Sequence, residues 1–394
     1  MLKPPDMNQD NFLERLNAVD GDDERAALID SLCGDDTLAR QQLQAIMQRS
    51  LSGQRDDLPT KPPGTGSTIV SQPNLVGEWL GHYEILEPLG EGGMGVVYLA
   101  QQEQPVKRRV AVKVTKPGFE SPQLLARFQA ERQALALMDH EHIAKVFDAG
   151  STPDGRLYFV MELVDGVPIT RYCEQRQLSM AARLDLFLLV CRAIQHAHQK
   201  GVVHRDVKPS NVLIVEVDGR PLPKVIDFGL AKALEQPLAP HTLQTQYGQV
   251  LGTLEYMSPE QASFASVDVD TRADVFALGV LLYELLTGTT PLGRTRLEQL
   301  ELDQVFHVIR EEEPVRPSIR LASLRDDQAR PVPWDTVPSD LDWITLKALE
   351  KDRERRYDSP AALAADVERF GEDEPIDARC ETRLDELDRA RHVV

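Results

Sequence analysis

The sequence predicts an α+β fold in which a strand-rich part is followed by a mainly helical part. Short β-branched runs occur in the first part, as in Val96-Val97-Tyr98-Leu99 and Val110-Ala111-Val112-Lys113. The later part contains a stripe of apolar residues at helical spacing, residues 179–200. It also contains a nearly all-apolar run, residues 275–286, that stops before Gly288. Such patterns are dense from Tyr83 to about Phe370.

Composition and charge exclude several classes of protein. The chain has 394 residues, of which 42% are hydrophobic, enough for a sizeable core. A net charge of −19 argues against a nucleic-acid partner, because such binding needs clustered Lys and Arg. The four cysteines include no CxxC pair, so neither a zinc knuckle nor a disulfide framework is indicated. A reducing, cytoplasmic setting is therefore expected. The start lacks the apolar core of a signal peptide, and the longest apolar run is too short for a membrane span.

Changes in composition divide the chain into four segments. Residues 1–50 carry short apolar patterns at helical spacing between acidic clusters, which predicts a small, acidic helical extension at the N-terminus. Residues 51–82 are rich in serine, glycine, proline and threonine, a composition typical of a flexible linker. Residues 83–370 form the predicted α+β domain, and residues 371–394 a charged C-terminal tail.

A glycine-rich segment, Leu89-Gly90-Glu91-Gly92-Gly93-Met94-Gly95, is the first candidate site. It contains G-x-G-x-x-G, but a strand follows it, so the helix of a dinucleotide-binding fold is missing. No Gly-Lys-Ser/Thr is present, which excludes a Walker A loop. The segment therefore predicts a hairpin that lays backbone N–H groups over phosphates, with a plain hairpin turn as the alternative. The strand ending at Lys113 matches the V-A-I-K pattern, whose lysine contacts the α- and β-phosphates.

A carboxylate on an apolar helix face is the second candidate. Ser121-Pro122 predicts the start of a helix on which Glu131 shares a face with Phe128 and Leu135. Because an inward carboxylate needs a partner, we expect Glu131 to pair with Lys113. The alternative is that Glu131 lies at the edge of this face and is solvated.

The segment richest in chemistry is His204-Arg205-Asp206-Val207-Lys208-Pro209-Ser210-Asn211, which Asp227-Phe228-Gly229 follows. Asp206 can accept the proton of a substrate hydroxyl, and Lys208 can neutralise charge on a transferred phosphate. Asn211 and Asp227 offer the hard oxygen ligands that Mg²⁺ prefers. The turn residues Asp218-Gly219 lie between two strand patterns, which predicts a hairpin that returns Asp227 to Asn211.

Nearby histidines raise a zinc site as an alternative. His196 and His198 lie on one predicted helix and diverge by about 200°, so they cannot share a metal easily. His198 continues the apolar stripe of that helix. A hydrogen-bonded core histidine is therefore the favoured interpretation.

Together these motifs resemble those of the eukaryotic-like (Hanks-type) serine/threonine protein kinases of bacteria, over about residues 83–370. The resemblance implies the bilobal protein-kinase fold, with a β-rich N-lobe that contains one helix (about 83–162) and a mainly α-helical C-lobe (about 166–370). It implies transfer of phosphate from ATP to Ser/Thr hydroxyls of proteins in bacterial signalling, with Mg²⁺ as the metal and Mn²⁺ as a substitute. The implied catalytic residues are Lys113, Glu131, Asp206 and Lys208, and the implied metal ligands are Asn211 and Asp227. The implied ATP-binding residues are Leu89, Gly90, Glu91, Gly92, Gly93, Met94, Gly95, Val97, Ala111, Lys113, the gatekeeper Met161, the hinge residues Glu162 and Val164, and Leu213.

The same resemblance implies control by phosphorylation. Arg205 is expected to bind a phosphate on the loop of residues 230–252, and we predict autophosphorylation there at Thr242 or Thr245. Ordinary polar loop residues are the alternative interpretation of these threonines. A homodimer that phosphorylates in trans is expected.

The end of that loop, Met257-Ser258-Pro259-Glu260, resembles the family's A-P-E motif. Serine replaces the alanine, a change that we expect to be neutral, and Arg356 is the expected salt-bridge partner of Glu260. Two rival functions remain: a pseudokinase that binds nucleotide without transferring phosphate, and a kinase of small molecules. The presence of Lys113, Asp206 and Asp227 argues against the first, and the complete loop end argues against the second.

Overall fold

The computed structural model describes residues 75–92, 95–116, 135, 138–228, 254–263, 270–324 and 332–379. The predicted N-terminal extension, Glu131, Gly93, Met94, Thr242 and Thr245 lie outside these ranges. The described residues confirm the α+β class and the two predicted lobes.

The N-lobe is an antiparallel sheet in the order β1-β2-β3-β4-β6-β5. Its strands are β1 (Trp79–Leu80), β2 (Tyr83–Gly92), β3 (Gly95–Gln102), β4 (Arg108–Thr115), β5 (Val146–Ser151) and β6 (Leu157–Glu162). Successive side chains of a strand point to opposite faces. In β4, Val110, Val112 and Val114 therefore pack into the core of the N-lobe. Ala111 and Lys113 take the other face, where Ala111 joins a core shared with the C-lobe.

The sheet begins earlier than the sequence predicts. The predicted flexible linker extends to residue 82, but β1 already pairs with β2 through Trp79 and Glu84. Leu75 and Leu80 are each only 3% exposed and belong to the N-lobe core. Burial of these two side chains holds residues 75–82 on the sheet, because leaving them in water would cost apolar burial energy.

A second, three-stranded sheet belongs to the C-lobe. Its strands are β7 (Val167–Pro168), β8 (Val212–Val217) and β9 (Arg220–Val225), in the order β7-β8-β9. Asp218 and Gly219 close the β8–β9 hairpin with φ of 51° and 75°. Positive φ at both central residues is typical of a type I′ turn. The predicted hairpin is confirmed.

The C-lobe contains the helices α1 (Ile169–Gln175), α2 (Met180–Gln199), α3 (Arg272–Thr287), α4 (Arg294–Leu297), α5 (Leu302–Glu311), α6 (Pro317–Ser323), α7 (Ser339–Ala348) and α8 (Pro360–Gly371). Ser179 caps α2 by accepting the N–H of Ala182, as expected of a serine before a helix. Gly288 ends α3 in the left-handed conformation, with φ of 74°. No helix within the described ranges is long and apolar enough to cross a membrane.

The first residues of the predicted C-terminal tail, up to residue 379, pack on the C-lobe. Beyond α8, Ile376 is 2% exposed and Ala378 is fully buried in the C-lobe core. Asp366 of α8 accepts the backbone N–H groups of Asp377 and Ala378 at 2.8 and 2.9 Å. Paired backbone groups and two buried apolar side chains explain why residues 372–379 pack on the domain although their composition is charged.

Candidate active site

The glycine-rich segment forms the turn between β2 and β3. The strands pair up to Gly92 and Gly95, with Gly93 and Met94 between them outside the described residues. A Cβ on Gly95 would overlap the carbonyl oxygen of Val114, so only glycine fits against β4 there. A Cβ on Gly90 or Gly92 would meet open space. The last glycine is therefore required by sheet packing, whereas open space surrounds the first two.

Lys113 and Asp227 meet across the cleft although 114 residues separate them. The Nζ atom of Lys113 lies 2.7 Å from Oδ1 of Asp227. Burial would raise the pKa of Asp227, but the Lys113 ammonium, together with His204 and Lys208, holds that pKa below its ordinary value. Asp227 is therefore ionised at neutral pH. The pairing of Lys113 with Glu131 stays a prediction, since Glu131 is not described.

Asp206, Lys208 and Asn211 form a second cluster at the start of β8. Oδ2 of Asp206 lies 2.8 Å from Nζ of Lys208 and accepts the side-chain amide N–H of Asn211 at 3.1 Å. The backbone N–H of Ile226 donates to the carbonyl of Asn211 at 2.9 Å, which places Asp227 beside this cluster. The hairpin thus returns Asp227 to Asn211, as predicted.

Asp274 holds the backbone at the start of the segment of residues 204–211. This fully buried residue of α3 accepts the N–H of His204 at 2.7 Å and the N–H of Arg205 at 2.6 Å. It also bonds Nε2 of His198 at 2.7 Å, so His198 is the hydrogen-bonded core histidine that the apolar stripe predicts. Burial would raise the pKa of Asp274, but these donors hold it below its ordinary value. The only sequence signal for this role is an acid at the start of an apolar helix.

His204 connects that backbone to the residues around Asp227. Its Nε2–H donates to the carbonyl of Ile226 at 3.0 Å, and its ring contacts Phe228 with centroids 4.6 Å apart. Because a carbonyl only accepts, Nε2 carries the proton, and Nδ1 is left to accept the N–H of Asp206 at 3.2 Å. No pattern in the sequence indicates this role for the His204 ring.

The expected adenine pocket lies between the lobes. Ala111 of β4 and Met161 of β6 are cross-strand partners, and Val97 of β3 packs on the same core; Leu213 lies on β8, and Leu89 of β2 is half exposed. Behind Met161, a cavity is lined by Leu135, Met138, Ala144, Val146, Asp227 and Phe228.

The connection between the lobes is fixed at the end of β6 by an ion pair for which the sequence gives no signal. The carboxylate of Glu162, at the end of β6, lies 3.0 Å from Nζ of Lys224 and accepts the N–H of Lys145 at 3.1 Å. Val164 follows on the same connection. The backbone of this connection is therefore held against β9, the strand that leads to Asp227.

The segment of residues 254–263 is anchored to the C-lobe by a buried ion pair. Both Nη atoms of Arg356 donate to Glu260, at 2.7 and 2.8 Å, so the predicted salt bridge is confirmed. Burial would raise the pKa of Glu260, but the Arg356 guanidinium and nearby hydrogen-bond donors together hold it below its ordinary value. Nearby, Nε of Arg205 is buried and has no hydrogen-bond partner within the described residues.

Glu284 of α3 is a partly buried acid that contacts Tyr256 of this segment, and it predicts a pH dependence of stability. The phenol of Tyr256 donates to Glu284, and burial raises the pKa of Glu284 to about 7 from 4.5. The folded state thus keeps a proton that the unfolded chain has lost, so stability falls as pH rises between these values, by at most about 1.4 kcal/mol per pH unit. Glu284→Gln should flatten this part of the profile in urea unfolding.

A matched control is Glu103→Gln, the same change on an exposed side chain. The free energy of unfolding of Glu103→Gln should depend on pH in the same way as that of the wild type. Parallel profiles for the wild type and Glu284→Gln would mean that Glu284 is ionised in the folded protein.

Comparison with known proteins agrees with this geometry. The family model described as "Protein kinase domain" matches residues 83–367. The chain is 38% identical over 309 residues to serine/threonine-protein kinase Pkn1 of Myxococcus xanthus, covering 77% of this chain and 40% of Pkn1. It is 37% identical over 301 residues to serine/threonine-protein kinase PknB of Mycobacterium tuberculosis, covering 75% of this chain and 44% of PknB. The chain thus spans about two fifths of the length of these curated relatives.

Solved structures show the same fold. A crystal structure of the Mycobacterium tuberculosis PknI kinase domain is 26% identical to this chain, with a TM-score of 0.52, and the match covers 74% of this chain and 98% of that one. A mutant form of the same domain matches with a TM-score of 0.53 and 26% identity, covering 74% of this chain and 97% of that one. Given the two lobes, the paired Lys113 and Asp227 and these matches, the chain belongs to the protein kinase domain family.

Proposed function

We propose that this chain is an active serine/threonine protein kinase, which transfers the γ-phosphate of ATP to hydroxyl groups of protein substrates. The observation that carries the proposal is the meeting of Lys113 with Asp227, at 2.7 Å, beside the cluster of Asp206, Lys208 and Asn211. Residues from three distant parts of the sequence thus present two ammonium groups and two carboxylates to one cleft. This is the set of charges that phosphoryl transfer needs.

The donor atoms present suit Mg²⁺, with Mn²⁺ as a substitute. Asp227 is ionised, and the side-chain nitrogen of Asn211 is engaged by Asp206, which leaves the amide oxygen of Asn211 as the ligand atom. Hard cations of this kind prefer such oxygen donors. When bound, the metal supplies positive charge between the phosphates.

The nucleotide would be held from three sides. Val97, Ala111, Leu213 and Leu89 provide apolar contacts to the base, and the backbone of Glu162 and Val164 provides its hydrogen bonds. The N–H groups of the β2–β3 turn cover the phosphates, in the space left by Gly90 and Gly92. Lys113 contacts the α- and β-phosphates.

In the proposed reaction, Asp206 orients the acceptor hydroxyl and accepts its proton. Lys208 neutralises charge on the phosphate in transfer. No covalent intermediate with the protein is needed, since positioning and electrostatic stabilisation supply most of the rate enhancement. The anchored segment of residues 254–263 supports a protein acceptor over a small molecule.

We propose further that phosphorylation of Thr242 or Thr245, in trans within a homodimer, activates the kinase. The buried Nε of Arg205, which lacks a partner within the described residues, supports a binding role for this guanidinium toward a phosphate. Phosphopeptide mapping should find phosphate on one of these threonines. A fully active preparation with an unmodified loop would reject this switch.

The proposed function is tested by incubating the purified chain with γ-labelled ATP, Mg²⁺ and a generic protein substrate. We expect label on serine and threonine of the substrate, and loss of labelling when EDTA removes the metal. Lys113→Met should still fold, with the circular dichroism spectrum of the wild type, but label weakly. If the wild type binds ATP and labels no protein under any of these conditions, a pseudokinase is the better description.

A further inference from the structure

The peptide unit that joins Arg205 to Asp206 is held at both of its polar atoms. Its N–H, which belongs to Asp206, donates to Nδ1 of His204 at 3.2 Å. Its carbonyl, which belongs to Arg205, accepts Nε2–H of Gln261 at 3.0 Å. Arg205 itself has φ of 66°, a left-handed conformation that is unfavourable for a residue with a side chain. Such a conformation persists only where neighbouring groups hold it.

The side chain of Gln261 can adopt only one orientation in this contact. Its Oε1 accepts the backbone N–H of Ser258 at 3.0 Å and the Ser258 hydroxyl at 3.2 Å. A backbone N–H can only donate and the Arg205 carbonyl can only accept, so the amide oxygen must face Ser258 and the nitrogen must face Arg205. Ser258 is fully buried. The serine that replaces the family's alanine was expected to be neutral, whereas its hydroxyl contributes to holding Gln261.

Gln261 is also the neighbour of Glu260, which the buried pair with Arg356 fixes to the C-lobe. The other groups that hold the strained backbone, Asp274 and His204, belong to α3 and to the catalytic segment itself. Gln261 comes instead from the segment of residues 254–263. It therefore connects the proposed acceptor side of the cleft to the peptide unit that carries Asp206.

We propose that Gln261 is a positioning residue, which holds the Arg205–Asp206 peptide unit so that the Asp206 carboxylate meets the acceptor hydroxyl in the correct orientation. This inference rests on the proposed kinase function. In this role Gln261 contacts neither ATP, metal nor substrate. Its loss should therefore lower kcat and leave the binding of ATP unchanged.

Two variants of the full chain test the proposal. Gln261→Met keeps the length of the side chain and removes both polar atoms, so kcat should fall on the order of tenfold, with KM for ATP unchanged. Gln261→Glu places a carboxylate oxygen against the Arg205 carbonyl. It should be as slow as Gln261→Met near about pH 8 and recover toward wild type as the pH falls, because a protonated carboxyl can again donate.

The matched control is Ser263→Ala. Ser263 lies in the same segment, and its hydroxyl donates to the carbonyl of Pro259 at 3.0 Å. This hydrogen bond does not involve the Arg205–Asp206 peptide unit. The kcat of Ser263→Ala should equal that of the wild type. If Gln261→Met loses no more activity than Ser263→Ala, or if Gln261→Glu shows no recovery at lower pH, the positioning role is wrong.

A measurement without turnover separates this inference from the proposed function. Hydrogen–deuterium exchange of a fragment covering residues 203–208 reports the N–H groups of Arg205 and Asp206. Exchange should be faster in Gln261→Met than in the wild type and unchanged in Ser263→Ala. If the wild type transfers no phosphate, the proposed function fails, and this comparison still decides whether Gln261 holds the peptide unit. Equal exchange in all three proteins would overturn the inference.

Discussion

Replacement of Asp206 by asparagine is expected to lower kcat for phosphate transfer about 10²–10⁴-fold, the range typical of losing a general base. Asparagine has the size of aspartate and keeps one oxygen for the contacts with Lys208 and Asn211, which lie at 2.8 and 3.1 Å. The cluster should therefore keep its shape. What the variant lacks is the charge that accepts the proton of the hydroxyl.

The measurement is steady-state kinetics together with calorimetric titration of ATP in the presence of Mg²⁺. The Kd for ATP should change little, because Asp206 is not among the expected nucleotide contacts. Asp358→Asn is the matched control, since it makes the same change on a side chain that is 84% exposed. An Asp206→Asn protein that labels substrate as fast as the wild type would refute the role given to Asp206.

Asp274→Asn is expected to lower the free energy of unfolding by about 3 kcal/mol or more. The wild-type carboxylate is fully buried and accepts three hydrogen bonds, from His198 and from the backbone of His204 and Arg205. An amide group has only one oxygen, so at least one of these buried donors would face another donor. Leaving a buried donor unpaired costs about 1–3 kcal/mol, and more when the lost partner was charged.

The same substitution should change the acid limb of the stability profile. The pKa of Asp274 is lowered in the folded state, so its stabilising contribution is complete above its ordinary pKa, 3.8, and is lost as the pH falls below it. Urea unfolding should show a smaller loss of stability on acidification for Asp274→Asn than for the wild type. Catalysis should suffer as well, because Asp274 holds the backbone that precedes Asp206. Equal unfolding energies would show that the three bonds are replaced by water at no cost.

Local chemistry explains which elements could be predicted from the sequence. The positive φ values required at Asp218 and Gly219 select a hairpin turn, and Ser179 and Gly288 mark helix ends by capping. Each of these signals acts over a few residues. The boundaries at 75–82 and 372–379 were misjudged because burial of single side chains such as Leu75 and Ile376 decided them, against a linker-like or charged composition.

The residues of the candidate site also divide into those that local sequence predicts and those that it does not. Motif spacing predicted Asp206, Lys208, Asn211 and Asp227 as one group, and the hairpin between Asn211 and Asp227 makes their proximity a local consequence of the chain. The ion pair of Glu162 with Lys224 and the bond of Gln261 to Arg205 have no such local cause. They join residues 62 and 56 positions apart, and no periodicity relates them.

The sequence by itself determined the fold class, the succession of a strand-rich part by a helical part, and the residue types available for phosphate chemistry, because these depend on side-chain periodicity, turn residues and short motifs. Only the tertiary structure decided how the strained backbone at Arg205 is held, with Asp274, His204 and Gln261 meeting it from different elements. The physical reason is that a hydrogen bond requires its two atoms to lie about 3 Å apart and aligned, and only the packed lobes bring distant residues into that geometry.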